Sequence, residues 1–128
     1  SKQGVALVTL VASTGIRIGE ALALRWEDVN LSGATVTIRR SLAEIDSRFV
    51  EQEPKTKAGW RTISLPKRAI DRIRKLRRHR TQSGTVPLGT ALVFHNTKGG
   101  WLRKSNLYQQ FLHPLLALIR HNELAPRY

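Results

Sequence analysis

Between Lys2 and Ser13 apolar residues fall on nearly every side of a helix: Val5, Ala6, Leu7, Val8, Leu10, Val11 and Ala12. A helix that is apolar all round is either buried on several sides or crosses a membrane. Crossing takes about 18 or more uninterrupted apolar residues. The run from Val5 to Ala12 is short and is broken by Thr9. The segment is therefore expected to be the core helix, and the rest of the chain has to wall it in.

Thr14 and Gly15 supply a turn, and from Arg17 the residues favour helix again, with Ile18, Ala21, Leu22 and Trp26 recurring at the spacing of a buried stripe. Arg17 and Glu20 interrupt that stripe. Three positions apart they share a helix side, so Glu20 can hold the Arg17 guanidinium while its outer fork stays free for a tetrahedral phosphate oxyanion. An isolated pair of this kind is more often a weak surface contact. After a loop at Leu31, Ser32 and Gly33, strands are read at Ala34 to Arg40, Phe49 to Glu53 and Trp60 to Leu65. The last two are joined by a turn at Pro54 to Gly59 that carries Lys55 and Lys57.

Lys67 to Gln82 reads as a helix with Ile70, Ile73 and Leu76 on one face and basic residues on the rest. Ser83 to Gly89 is a linker, Leu92 to Phe94 a short extended piece, and Lys98, Gly99 and Gly100 a turn. A final helix is expected from Lys104 or Ser105, with Leu107, Phe111, Leu115, Leu118 and Ile119 at helical spacing and a kink at Pro114. The expected fold is α+β and mainly helical, with a helical core and a small three-stranded antiparallel sheet at one edge.

The chain carries 22 Lys and Arg against 9 Asp and Glu, a formal charge of +13, which points to a polyanionic partner, nucleic acid first. The third helix concentrates this charge in Lys67, Arg68, Arg72, Arg74, Lys75, Arg77, Arg78 and Arg80 against the single acid Asp71, a footprint suited to tracking phosphates without reading bases. With no cysteine, disulfides and thiolate metal sites are excluded. No secretory pattern is seen, so the expected compartment is the cytoplasm, with no membrane partner. The acids form no tight cluster, which argues against a two-metal nuclease.

The string TGIRIGEALALRWEDVN resembles the first catalytic block of the tyrosine recombinases, the phage-integrase family of DNA strand-exchange enzymes. Thr14, Gly15, Arg17, Glu20, Leu24, Trp26 and Asp28 stand at the family's positions. The resemblance implies that Arg17 is a catalytic arginine gripping the scissile phosphate and Glu20 its buttress. The later string from Pro54 through Lys55, Thr56, Lys57 and Arg61 to Leu65-Pro66 resembles the family's β-hairpin that carries a lysine to the cleaved phosphate. Lys55 is then the catalytic lysine and general acid, with Lys57 left open as the alternative, Arg61 a phosphate contact, and Trp60 strand packing. Gly99-Gly100 followed by Ser105-Asn106-Leu107 resembles the lead into a DNA-contacting helix, which makes Arg103, Lys104, Ser105 and Asn106 candidate DNA contacts.

The family's chemistry uses a tyrosine nucleophile to form a 3′-phosphotyrosine link, without metal or other cofactor, and a later H-x-x-R block. None of the four histidines has arginine three residues on. Tyr108 lies in the DNA-contacting helix pattern and Tyr128 is the last residue, so neither is taken as the nucleophile. The expectation is that residues 1–128 are a single partial catalytic domain, inactive alone, lacking the core-binding domain and the rest of the catalytic domain. In the full-length protein, double-stranded DNA and a tetrameric synapse are the implied partners. The competing reading is a non-enzymatic basic nucleic-acid-binding module.

Overall fold

The computed structural model describes residues 2–84 and 86–104. Helix α1 (Lys2–Thr14) is closed by Gly15, whose φ of +74° places it in the left-handed region and whose N–H returns to the Val11 carbonyl. Glycine takes that conformation at no steric cost, which is why the helix stops there. Helix α1 buries Gly4, Ala6, Leu7 and Leu10 against α3 (Lys67–Gln82), whereas Val5 is 41% exposed. Burial of α1 is therefore more one-sided than its composition led us to expect.

Helix α2 is a short element (Ile18–Leu22), and Trp26 belongs to a separate 3-10 turn (Trp26–Asp28). The three-stranded sheet consists of β1 (Val29–Asn30), β2 (Thr35–Ile38) and β5 (Arg61–Ser64), all antiparallel. Val36 pairs with Ile63 and Ile38 with Arg61. The Phe49 strand is not in this sheet. It is β4 (Arg48–Gln52), and it forms a separate two-stranded hairpin with β3 (Ser41–Ile45). Asp46 and Ser47, both with positive φ, make the tight turn that matches strand twist. The three-stranded sheet expected from sequence is present, but β1 takes the place given to the Phe49 strand.

Phe94, Leu7, Leu10, Leu22, Ile73, Leu76, Val36 and Val93 are the largest fully buried side chains, and they join α1, α2, α3, β2 and the 93–94 segment in one core. The segment around Leu92 makes only an isolated bridge to Arg25, with Val93 donating to the Leu24 carbonyl. The Gln3 amide ties three elements together. Its Nε2 donates to the His95 carbonyl at 2.9 Å, and its Oε1 accepts from the His95 N–H at 3.0 Å and the Arg80 guanidinium at 2.6 Å. The expected final helix, with Leu107, Phe111, Pro114, Leu115, Leu118 and Ile119, lies outside the described residues apart from its first position, Lys104.

Candidate active site

Arg17 sits immediately before α2 with extended backbone, φ −73° and ψ 147°. That conformation takes its side chain off the helical face on which it would meet Glu20. The Glu20 carboxylate instead accepts the Arg17 backbone N–H at 3.0 Å and is gripped at both oxygens by Arg61, at 2.6 and 2.8 Å. The guanidinium that Glu20 buttresses is thus that of Arg61, and Glu20 fixes Arg17 through its main chain. Among the described residues the exposed Arg17 guanidinium makes no hydrogen bond or ion pair.

Glu20 is buried while the Arg61 side chain is half exposed. The Arg61 hydrogen bond holds the Glu20 carboxyl below its ordinary value of 4.5; burial opposes the shift, and the Arg17 N–H adds to it. Arg61 in turn is raised above its ordinary value by the same contact, so the pair is fully ionised at neutral pH. Helix α2 packs closely on β3, since a Cβ on Gly19 would stand 2.5 Å from the Leu42 carbonyl oxygen.

A cleft beside these elements is lined by Glu20, Arg61, Arg39, Arg40, Pro54 and Gly59. The loop above it folds into a 3-10 turn (Lys57–Gly59), with Gly59 packed on Pro54. Lys55 is exposed, and among the described residues it has no ion-pair or hydrogen-bond partner. Lys57 differs, since its ammonium lies 5.5 Å from the centre of the Trp60 ring, which Arg39 also covers at 4.6 Å. Trp60 is half-buried beneath these two cations, in keeping with packing.

Arg40 was not foreseen. Its side chain, 7% exposed, faces four carboxylates: Asp28 at 2.9 Å, Glu27 at 3.2 Å, Glu51 at 3.4 Å and Glu53 at 3.5 Å. Asp28 also accepts the Arg25 backbone N–H and lies 3.3 Å from Arg39, while Arg25 pairs with Glu51. The signal was in the alternation, because Val36, Ile38 and Arg40 share the inward face of an extended segment.

Arg103 does not project freely. Its guanidinium lies over Phe49 at 5.0 Å and 3.7 Å from Glu44, whose carboxylate also accepts the Lys104 backbone N–H. With the Phe49–Trp101 ring contact at 5.6 Å, this fastens the β3–β4 hairpin to the 101–104 segment. Ser105 and Asn106 lie outside the described residues. On α3, Arg74 donates to the Leu31 carbonyl and Arg77 covers Trp26 at 5.2 Å, so part of the basic helix is anchored to the domain. Among the described residues no group of His, Cys, Asp or Glu could hold a metal ion, and no helix is long and apolar enough to cross a membrane.

Among proteins of known structure, the integrase of the Tn1549 transposon, solved in complex with circular intermediate DNA, superimposes with a TM-score of 0.70 over 95% of this chain and 40% of that one, at 19% identity. XerA recombinase gives 0.61 over 85% of this chain and 33% of that one, at 16% identity. Prophage integrase IntR of Escherichia coli (strain K12) is 33% identical over 102 residues, 77% of this chain and 22% of the relative. A XerC-like tyrosine recombinase of Caldanaerobacter subterraneus is 27% identical over 122 residues, 83% of this chain and 31% of the relative. The chain thus spans less than a third of the length of these curated relatives. Residues 2–123 match the sequence model of the phage integrase family. The chain belongs to the phage integrase family, the tyrosine recombinases, and its match lies in their catalytic domain.

Proposed function

We propose that these residues form the phosphate-gripping and leaving-group part of a site-specific recombinase that cuts and rejoins double-stranded DNA. The observation that carries this reading is the free guanidinium of Arg17, held by its main chain to Glu20 beside the cleft over which the Lys55 loop stands. A tyrosine hydroxyl attacks the scissile phosphorus and gives its proton to a base elsewhere in the recombinase polypeptide or to water, the bond from phosphorus to O5′ breaks, and a 3′-phosphotyrosine ester forms. Arg17 offsets the charge on the non-bridging oxygens, which grows in the transition state. Lys55 passes a proton to O5′ and becomes neutral. Rejoining reverses each transfer, and the ester conserves the bond energy, so the cycle calls for no nucleotide or metal.

Lys55 is favoured over Lys57 because Lys57 is engaged with Trp60 whereas Lys55 has no such contact. The reading places the nucleophilic tyrosine and the second arginine outside these 128 residues, in the same recombinase polypeptide, which acts on DNA as a tetrameric synapse. These residues alone are then inactive. The test is trapping of the covalent complex on a nicked site by the polypeptide that contains these residues. Arg17→Ala and Lys55→Ala are each expected to slow trapping by about 10²-fold or more, and Lys57→Ala by less than about tenfold. Wild-type rates in Arg17→Ala would remove the assignment.

A further inference from the structure

We infer that Arg61 is a positioning residue for the leaving-group lysine, setting where Lys55 stands relative to Arg17 by locking β5 onto α2 through Glu20. The inference rests on the reading of Lys55 as general acid. Spacing and resemblance made Arg61 a phosphate contact, but both of its terminal nitrogens grip Glu20, at 2.6 and 2.8 Å, so the end of its fork is turned to the protein. The acceptor is no surface carboxylate, since its side chain is 10% exposed and one of its oxygens also holds the Arg17 N–H. A single buried carboxylate therefore joins the main chain of the phosphate-gripping residue to the first residue of β5.

Five residues separate Lys55 from Arg61, and their freedom is small. The Gly59 N–H donates to the Thr56 carbonyl and the Trp60 N–H to the Lys57 carbonyl, Gly59 packs on Pro54, and Arg39 and Lys57 cover Trp60. A loop folded on itself in this way moves as a unit, and its orientation follows the strand it enters. That strand is an edge, since β5 is paired only with β2, and its Arg61 end is the end next to the cleft. Without the grip on Glu20, the entry point of the loop would be held on one side only. General acid catalysis depends on the donor being within hydrogen-bond reach of the leaving oxygen, so a small displacement of the loop costs proton transfer before it costs phosphate binding.

The experiment compares two nicked DNA sites with the recombinase polypeptide, one with the ordinary 5′-oxygen at the scissile phosphate and one with sulfur in its place. A thiolate leaves without a proton, so a defect confined to the general acid disappears on the sulfur site. On oxygen, Arg61→Ala is expected to slow covalent-complex formation by about 10- to 100-fold, and on sulfur to come within about fivefold of wild type, as is Lys55→Ala. Arg17→Ala stays slow on both. Should Arg61→Ala not fold, Arg61→Lys carries the same test, with a smaller defect on oxygen and none on sulfur. Rescue of Lys55→Ala without rescue of the Arg61 variant overturns the inference alone, as do wild-type rates for both Arg61 variants on oxygen. Failure of sulfur to rescue Lys55→Ala overturns the general-acid reading and the inference with it.

Discussion

Arg40 and Arg61 line the same cleft, and each is bound to carboxylates, yet they leave opposite electrostatic surroundings. Around Arg40, the guanidinium groups of Arg25, Arg39 and Arg40 meet the carboxylates of Glu27, Asp28, Glu51 and Glu53, and the key pair is almost without solvent. Positive charge there is more than cancelled, so the cluster can fasten β2, β4 and the Trp26–Asp28 turn but has little left for a polyanion. Around Arg61, one carboxylate meets Arg61 and the main chain of Arg17, while Arg17, Lys55 and Lys57 keep their charge toward solvent. An arginine outnumbered by acids acts as a rivet. One that exactly occupies a single acid fixes geometry and leaves its cationic neighbours available.

The largest effect expected from this contrast is in stability at the Arg40 site. Arg40→Met takes from Asp28, whose side chain is 1% exposed, the nearer of its two guanidinium partners, leaving Arg39 at 3.3 Å, and should cost about 3 kcal/mol in urea denaturation, the lower end for breaking a buried pair. A loss under about 1 kcal/mol, the value of an exposed pair, would erase the distinction between the two sites. Next comes Gly19→Ala, where the obstructing atom is the Leu42 backbone carbonyl rather than a movable side chain. Pushing α2 off β3 should cost about 1–3 kcal/mol, read by the same measurement.

A smaller effect separates the sites by pH. The folded pKa of Glu20 is lowered, first by the Arg61 hydrogen bond, so the bridge contributes its full stability above the ordinary value of 4.5 and loses it as pH falls through the lower folded value. Glu20→Gln should therefore cost about 1 kcal/mol at neutral pH, after allowance for the half-exposed Arg61, and nothing once wild-type Glu20 is protonated. A pH-independent difference would mean that packing rather than charge holds the junction. The smallest effect is on salt dependence. Lys55→Ala should lower the slope of log affinity against log salt for duplex DNA by about 0.9, whereas Arg40→Met in its folded state should leave the slope unchanged.

The sequence revealed helices α1 and α3, the placement of β2 and β5, and the strings containing Arg17 and Lys55, because each rests on local periodicity or on a contiguous motif. It did not reveal β3. Ser41 to Ile45 lacks clean alternation, and its turn is made by Asp46 and Ser47 rather than by glycine or asparagine, although both adopt positive φ. The partner of Glu20 was also out of reach of local spacing. A residue just before a helix does not follow helical geometry, and the true partner lies 41 positions later on a strand. The Arg40 cluster gathers carboxylates from residues 27 to 53, a juxtaposition that only the paired strands create.

Gln3 and His95 are separated by 92 positions, yet their amide groups meet in a reciprocal pair of hydrogen bonds that also engages Arg80. Contacts between such distant parts of a chain are slow to form, because loop closure has to precede any reward. On a ribosome helix α1 would wait, its apolar side unshielded, until α3 had been synthesised, and its Gln3 clasp would wait longer, for His95. The interval in which α1 is most open to chaperones or to misassociation is thus set by how far along the chain the elements that cover it lie.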